Sequence, residues 1–162
     1  MLSDSGVRSL EAWASMLIDE TADKKTPCST FNDHFQGFYS RELLAETHFV
    51  IIDRIPTPPL SHTLLHAGKL DFSKVSGLTL GSTYFVRQSE SHNLQIHFHE
   101  LVHVIQWRLL TTHGFLTRYI KEVVEHGYRN APLEIMAYDL DNRFQQGARP
   151  FDVESAVKKY IK

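Results

Sequence analysis

From Ile96 to Leu110 the chain is apolar around almost the whole circumference of a helix. At about 100° per residue, Phe98, Leu101, Val102, Val104, Ile105, Leu109 and Leu110 leave little surface for water, so other elements must enclose this helix. One exception interrupts the pattern. Gln95, His99, His103 and Gln106 fall within roughly 80° of one another and form a single polar stripe. Polar groups taken out of water cost a few kcal/mol each unless they find partners, so the stripe demands something to bind.

Within the stripe lies His99-Glu100-Leu101-Val102-His103. Histidines four apart stand one turn apart on the same face, where both imidazoles can close on one zinc ion, with Glu100 beside it as general base. The plainer alternative is a pair of core histidines hydrogen-bonded to their neighbours. Hydrolytic zinc takes three protein ligands and keeps a fourth position for water, so a third ligand is required. Gln106 and Leu109 stand where a metzincin would place Gly and His, which removes that route. His113 would lie about 20 Å along the same helix from His99, and His92 about 10 Å in the other direction, both too far. Glu134, just after Asn130-Ala131-Pro132, is the leading candidate, with His126 and Glu122 as rivals. Its alternative role is that of an acid favoured at a helix N-terminus by the macrodipole.

The chain has 162 residues, enough for one domain with a core that needs no covalent staples. Its net charge of -2 and the absence of any basic block argue against nucleic acid as a partner. The single cysteine, Cys28, excludes an internal disulfide and a cysteine-rich zinc site; it reads as incidental in a polar loop. The N-terminal residues lack the pattern of a secretion signal, and no apolar run is long enough to span a bilayer, so a cytoplasmic protein without a membrane partner is expected.

Along the chain, residues 8–20 read as a helix through Leu10, Trp13, Leu17 and Ile18. Residues 21–40 read as a polar loop, either a lid, a removable inhibitor or plain connection. Arg41 to Glu46 adds a helical turn, and His48 to Ile52 is a strand ended by the prolines at 56, 58 and 59. Residues 77–87 carry strand residues with Gly81 as a bend or bulge. Ser89 to Ser91 offers caps for the long helix, which is expected to stop at Gly114. Phe115 to His126 forms a further helix stopped by Gly127. Asn130 caps the next one, with Pro132 in its first turn, and Asp152 to Ile161 closes the chain. The sum is an α+β domain, a small mixed or antiparallel sheet packed on a helical body.

Gly81-Ser82-Thr83-Tyr84-Phe85-Val86, then His99 to Gln106, then Asn130-Ala131-Pro132-Leu133-Glu134-Ile135-Met136-Ala137-Tyr138 resemble the minimal gluzincins, compact zinc metallopeptidase domains related to the thermolysin group. The resemblance covers roughly residues 47–145 and is most specific in pairing the His-Glu helix with a later Glu-x-x-Ala helix. It implies a zincin-like fold, zinc held by His99, His103 and Glu134, Glu100 as base, and a strand within 80–86 along the cleft rim. Two departures stand out. Thermolysin-like chains carry an Asp four residues after the ligand Glu to orient a zinc histidine, whereas Tyr138 stands there, leaving Asp139 or Asp141 for that role. The large domain that supplies a transition-state His or Tyr in bigger relatives has no counterpart after Glu134, so Tyr138 and His126 are the candidate oxyanion donors. The function expected is zinc-dependent hydrolysis of peptide bonds in a peptide or protein substrate, held by an exposed edge strand near residues 82–86. The competing expectations are a non-catalytic zinc-binding interaction domain of the same fold and a small-molecule zinc hydrolase.

Overall fold

The computed structural model describes residues 2–161. Its framework is α+β. Helix α1 (Asp4–Glu20) begins earlier than expected because the Ser3 hydroxyl caps it by accepting from the Gly6 N–H. After a 3₁₀ turn come the short strand β1 (Thr26–Pro27), helix α2 (Arg41–Glu46) and strand β2 (His48–Ile52). The Pro-rich connection leads into α3 (His62–Ala67), a short helix that the sequence did not announce. Strands β3 (Gly77–Leu80) and β4 (Thr83–Arg87) form a hairpin, followed by α4 (Leu94–His126), α5 (Pro132–Gln145) and α6 (Val153–Ile161).

The four strands make one mixed sheet in the order β1-β2-β4-β3, with β2 and β4 parallel and the outer pairs antiparallel. Gly81, at φ 69°, lies in the two-residue turn that joins Leu80 to Thr83, so it closes a hairpin and is not a bulge. Residues 83–87 are therefore a central strand, buried at Thr83 through Val86, and the edge they were expected to provide belongs to β3. A residue with paired strands on both sides has no main-chain groups left for a substrate.

The enclosed helix is as its composition demands: every residue from His97 to Trp107 is buried. Asn93 caps it by accepting from the Gln95 N–H, in place of the expected Ser89 to Ser91. The helix breaks at Thr111 (φ 66°, ψ 167°), three residues before Gly114. A threonine at positive φ with extended ψ, a region essentially reserved for glycine, costs about 1–3 kcal/mol, and it makes a sharp reversal. In an unbroken helix Tyr119 would lie about 24 Å beyond His103. Here their rings are 6.3 Å apart, and Phe115 stacks on Trp107 at 4.6 Å.

Residues 21–40 are no polar loop. They fold as 3₁₀ and irregular turns that bury Cys28, Phe31, Phe35, Phe38 and Tyr39. Phe35 and Phe38 meet Phe98 edge-on, and Phe144 stacks on Phe98 at 4.7 Å, so the segment covers the back of the central helix. Each such ring contributes about 1.5–3 kcal/mol by burial. Cys28 is fully buried and donates to the Tyr84 hydroxyl, which faces His97 Nδ1 at 2.8 Å. Among the described residues, no helix is long and apolar enough to cross a membrane.

Candidate metal centre

Helical spacing sets the first two groups. His99 and His103, one turn apart, bring their Nε2 atoms to 3.1 Å. Glu134, in the first turn of α5, closes the triangle, with Oε1 3.1 Å from His99 Nε2 and Oε2 3.1 Å from His103 Nε2. All three side chains are buried. Helix α5 can come this close because Ala137, one turn beyond Glu134, is fully buried and offers only a methyl group.

The outer nitrogens decide what the inner ones can do. His99 Nδ1 is 2.7 Å from Asp141 Oδ2, a carboxylate that can only accept, so Nδ1 carries the proton. His103 Nδ1 is 2.7 Å from Gln106 Oε1, whose amide nitrogen is occupied in donating to the Leu133 carbonyl. Neutral rings so fixed leave both Nε2 lone pairs bare, aimed at each other and at a carboxylate. Three electron-rich atoms at this spacing repel unless a cation lies among them. Tetrahedral zinc with bonds of about 2.0–2.1 Å sets its donors about 3.3 Å apart, so the cluster fits the ion with little adjustment. A proton can also occupy the cluster. Burial disfavours charge on His99, yet Asp141 and Glu134 raise its pKa well above the ordinary value; His103 is likewise raised by Glu134 against burial. Glu134 is held below the usual carboxylate range, because the two histidines outweigh its burial.

The rest of the polar stripe serves the same centre. Gln106 orients His103, while Gln95 donates to Asp141 Oδ1 at 2.8 Å and so steadies the partner of His99. Asp141 is buried and Asp139 is exposed, which assigns the orienting role to Asp141. Glu122, a rival ligand from the sequence, accepts from the Leu133 N–H at 2.8 Å and from Arg118 at 2.7 Å. It thus caps α5, whose N-cap residue is Ala131, not Asn130, and has no side-chain acceptor of its own. His126, the other rival and a candidate oxyanion donor, is half exposed at the mouth of the cleft. Tyr138 lies against the His99 ring at 4.6 Å and also lines the cleft. His113 is exposed beside Asp4 and Glu11, far from the cluster in the fold.

Glu100 stands next to the histidines on the sheet side. Thr79 of β3 donates to Glu100 Oε2 at 2.6 Å, and burial raises the carboxyl above its ordinary pKa against the opposing pull of His103, His99 and Thr79. Tyr119 was not anticipated. Its hydroxyl donates to Glu134 Oε2 at 2.7 Å, and only the reversal at Thr111 brings it there, so no local pattern could have revealed it.

Two spaces open onto the centre. A small cavity of about 80 Å³, walled by apolar side chains including Trp13, Leu70, Phe72, Trp107 and Phe115, reaches Glu100, His103 and Glu134. A wider polar cleft of about 630 Å³ reaches His99, Glu100, Tyr138 and Asp141. Tyr128 and Gly77 border both. No residue of segment 21–40 lines either space. Comparison with protein-family models, with curated proteins and with solved structures finds no match for this chain.

Proposed function

We propose that this protein is a zinc-dependent peptidase of zincin-like architecture. The observation that carries the proposal is the convergence of His99 Nε2, His103 Nε2 and the Glu134 carboxylate on one buried point, with both outer ring nitrogens tied to acceptors. These three residues would hold the zinc. When bound, zinc supplies Lewis acidity to the scissile carbonyl and brings the pKa of a water to about 7.

The remaining work falls to the chain's own groups. Glu100, with a raised pKa and one oxygen held by Thr79, takes a proton from the attacking water and passes it to the leaving amine. Asp141 and Gln106 keep the rings in the tautomer that leaves Nε2 free, and Tyr119 fixes the Glu134 carboxylate. Tyr128 and Tyr138 border the open cleft and are the available hydroxyl donors for a developing oxyanion. Burial raises the Tyr128 hydroxyl well above the usual phenol range, so it remains a donor at neutral pH. His126 belongs to the rim.

The edge strand β3 supports a peptide as substrate. With the hairpin closed at Leu80 and Thr83, Gly77 and Thr79 direct their main-chain N–H and C=O groups away from β4, beside Glu100. An extended chain pairing there crosses the centre. Its neighbouring side chain would enter the apolar cavity.

Metal content and digestion of a mixed peptide pool, compared between wild type, Glu100→Gln and Glu134→Ala, test the proposal. Wild type should carry one zinc and cleave. Glu100→Gln should carry one zinc and lose about 10²–10⁴-fold in rate, and Glu134→Ala should fail to retain the metal. Undiminished cleavage by Glu100→Gln would overturn the mechanism.

A further inference from the structure

The open cleft is lined by three basic groups, Lys69, Lys74 and Arg129, and three acidic ones, Asp71, Glu100 and Asp141, but they are unequally paired. Its acidic groups are committed: Asp141 to His99 and Gln95, Glu100 to Thr79, and Asp71 to Ser73 and Lys74. The basic groups are only partly so. Lys69 and Arg129 both line the cleft, both are exposed, and among the described residues neither has a carboxylate within 4.0 Å. His126 adds a third nitrogenous side chain on the same rim, 3.9 Å from Glu125.

Backbone bonding fixes these groups near one another. The Tyr128 N–H donates to the Gly68 carbonyl at 3.0 Å, so the turn after α3 is tied to the turn before α5. The Lys69 side chain runs beside Gly127, with Cδ 3.8 Å from the place a Cβ would occupy. Arg129 sits over the Tyr138 ring at 5.8 Å, and that ring lies 4.6 Å from His99. An extended chain advances about 3.3 Å per residue, so Arg129, reached from His99 through the Tyr138 ring, lies within the span of a few substrate residues, and Lys69 lines the same cleft.

Lys69 also occupies a position that its backbone does not favour. At φ 53° it is, among the described residues, one of two non-glycine residues with positive φ, and it follows a helix where glycine is the usual choice. Holding a lysine there costs stability that glycine would not, and strain of this kind collects where a side chain has work to do.

We infer that the open side of the cleft selects peptides bearing acidic side chains, read by Lys69 and Arg129. The inference rests on the peptidase reading above and names its substrate class, an acidic peptide segment on one side of the scissile bond.

The test uses two fluorogenic peptides that differ only in carrying Glu or Gln at the two or three positions on either side of a common apolar core. Cleavage by the zinc-loaded wild type and binding to zinc-loaded Glu100→Gln, by fluorescence anisotropy, are both measured. At about 0.02 M salt the Glu peptide should bind and be cleaved about tenfold better. That preference should fade near 0.5 M salt, where the Debye length is about 4 Å. Lys69→Glu combined with Arg129→Glu should invert it; both sites are exposed, so the fold is expected to tolerate the pair. Equal handling of the two peptides with cleavage intact overturns the acidic preference alone. Preferential binding of the Glu peptide without any cleavage overturns hydrolysis and leaves the charge recognition standing. If neither peptide is bound or cleaved, both readings are overturned.

Discussion

A methyl group at Gly77 would sit 2.5 Å from Glu100 Oε1 and 2.9 Å from its carboxyl carbon. The edge strand can approach the base only because that position has no side chain. Gly77→Ala should therefore push Glu100 off the Thr79 hydroxyl while leaving His99, His103 and Glu134 in place. Zinc content should match wild type, and kcat should fall about 10-fold or more, since a displacement of about 1 Å is costly at a reacting centre. Wild-type kcat in this variant would show that the base tolerates displacement. Cys28 illustrates the opposite case, a group with chemistry that the fold suppresses. Burial pushes its thiol up to about 12, so it stays protonated and inert at neutral pH. Its place in the sequence said nothing of this, because the side chain it meets there, Tyr84, lies 56 positions away.

Helices α4 and α5 carry the centre between them, and their mutual placement depends on an acid that binds no metal. Glu122 accepts from the N-terminal N–H of Leu133, while Glu134 begins its work one residue later. Glu122→Ala leaves the Leu133 N–H buried without a partner, a loss of about 1–3 kcal/mol. Urea denaturation of the metal-free variant should report that loss, and zinc affinity should fall with it as Glu134 loosens. Glu122→Gln retains an acceptor and should recover most of both. If Glu122→Ala bound zinc as wild type does, α5 would be held by its apolar face alone. The reversal at Thr111 works at this level too. Helix existence and polarity were legible from periodicity. The break, three residues before the glycine that seemed to mark it, was not, since its energy is repaid by packing of Phe115 and Tyr119 against the first half of the helix.

For the molecule as a whole, ligand binding and stability are linked. Zinc at 100 times its dissociation constant should stabilise the native state by about 2.7 kcal/mol. The resulting rise in Tm should shrink as pH falls, because protons and zinc compete for the same two histidines, a single linkage that shows both in zinc affinity and in the stability of the metal-free fold. The raised pKa values of His99 and His103 mean that protons compete for both Nε2 atoms beginning above 6.5. The same shifts favour the metal-free fold at low pH: that stabilisation is complete below the unfolded histidine value and is lost as pH rises through the folded ones. Glu134, held low, stays ionised across this range and does not reverse the trend. Scanning calorimetry of loaded and metal-free protein between pH 6 and 9 checks it; a zinc-induced shift that is independent of pH would exclude the two histidines as its ligands.

Spacing within one helix is a local property, and it alone specified His99 and His103 on one face of an enclosed segment, with Gln95 and Gln106 on the same stripe and Glu100 beside it. Length was enough for one domain with a core, periodicity and turn residues for an α+β chain, and Glu134 could be nominated from its position in a helix start. Relations between elements were out of reach. Asp141 in preference to Asp139, Tyr119 on Glu134, Glu122 as a cap, β3 as the edge strand and a buried segment 21–40 all depend on how far the chain turns back. Those turns are settled by the summed packing of distant side chains, a quantity that no window of neighbouring residues contains.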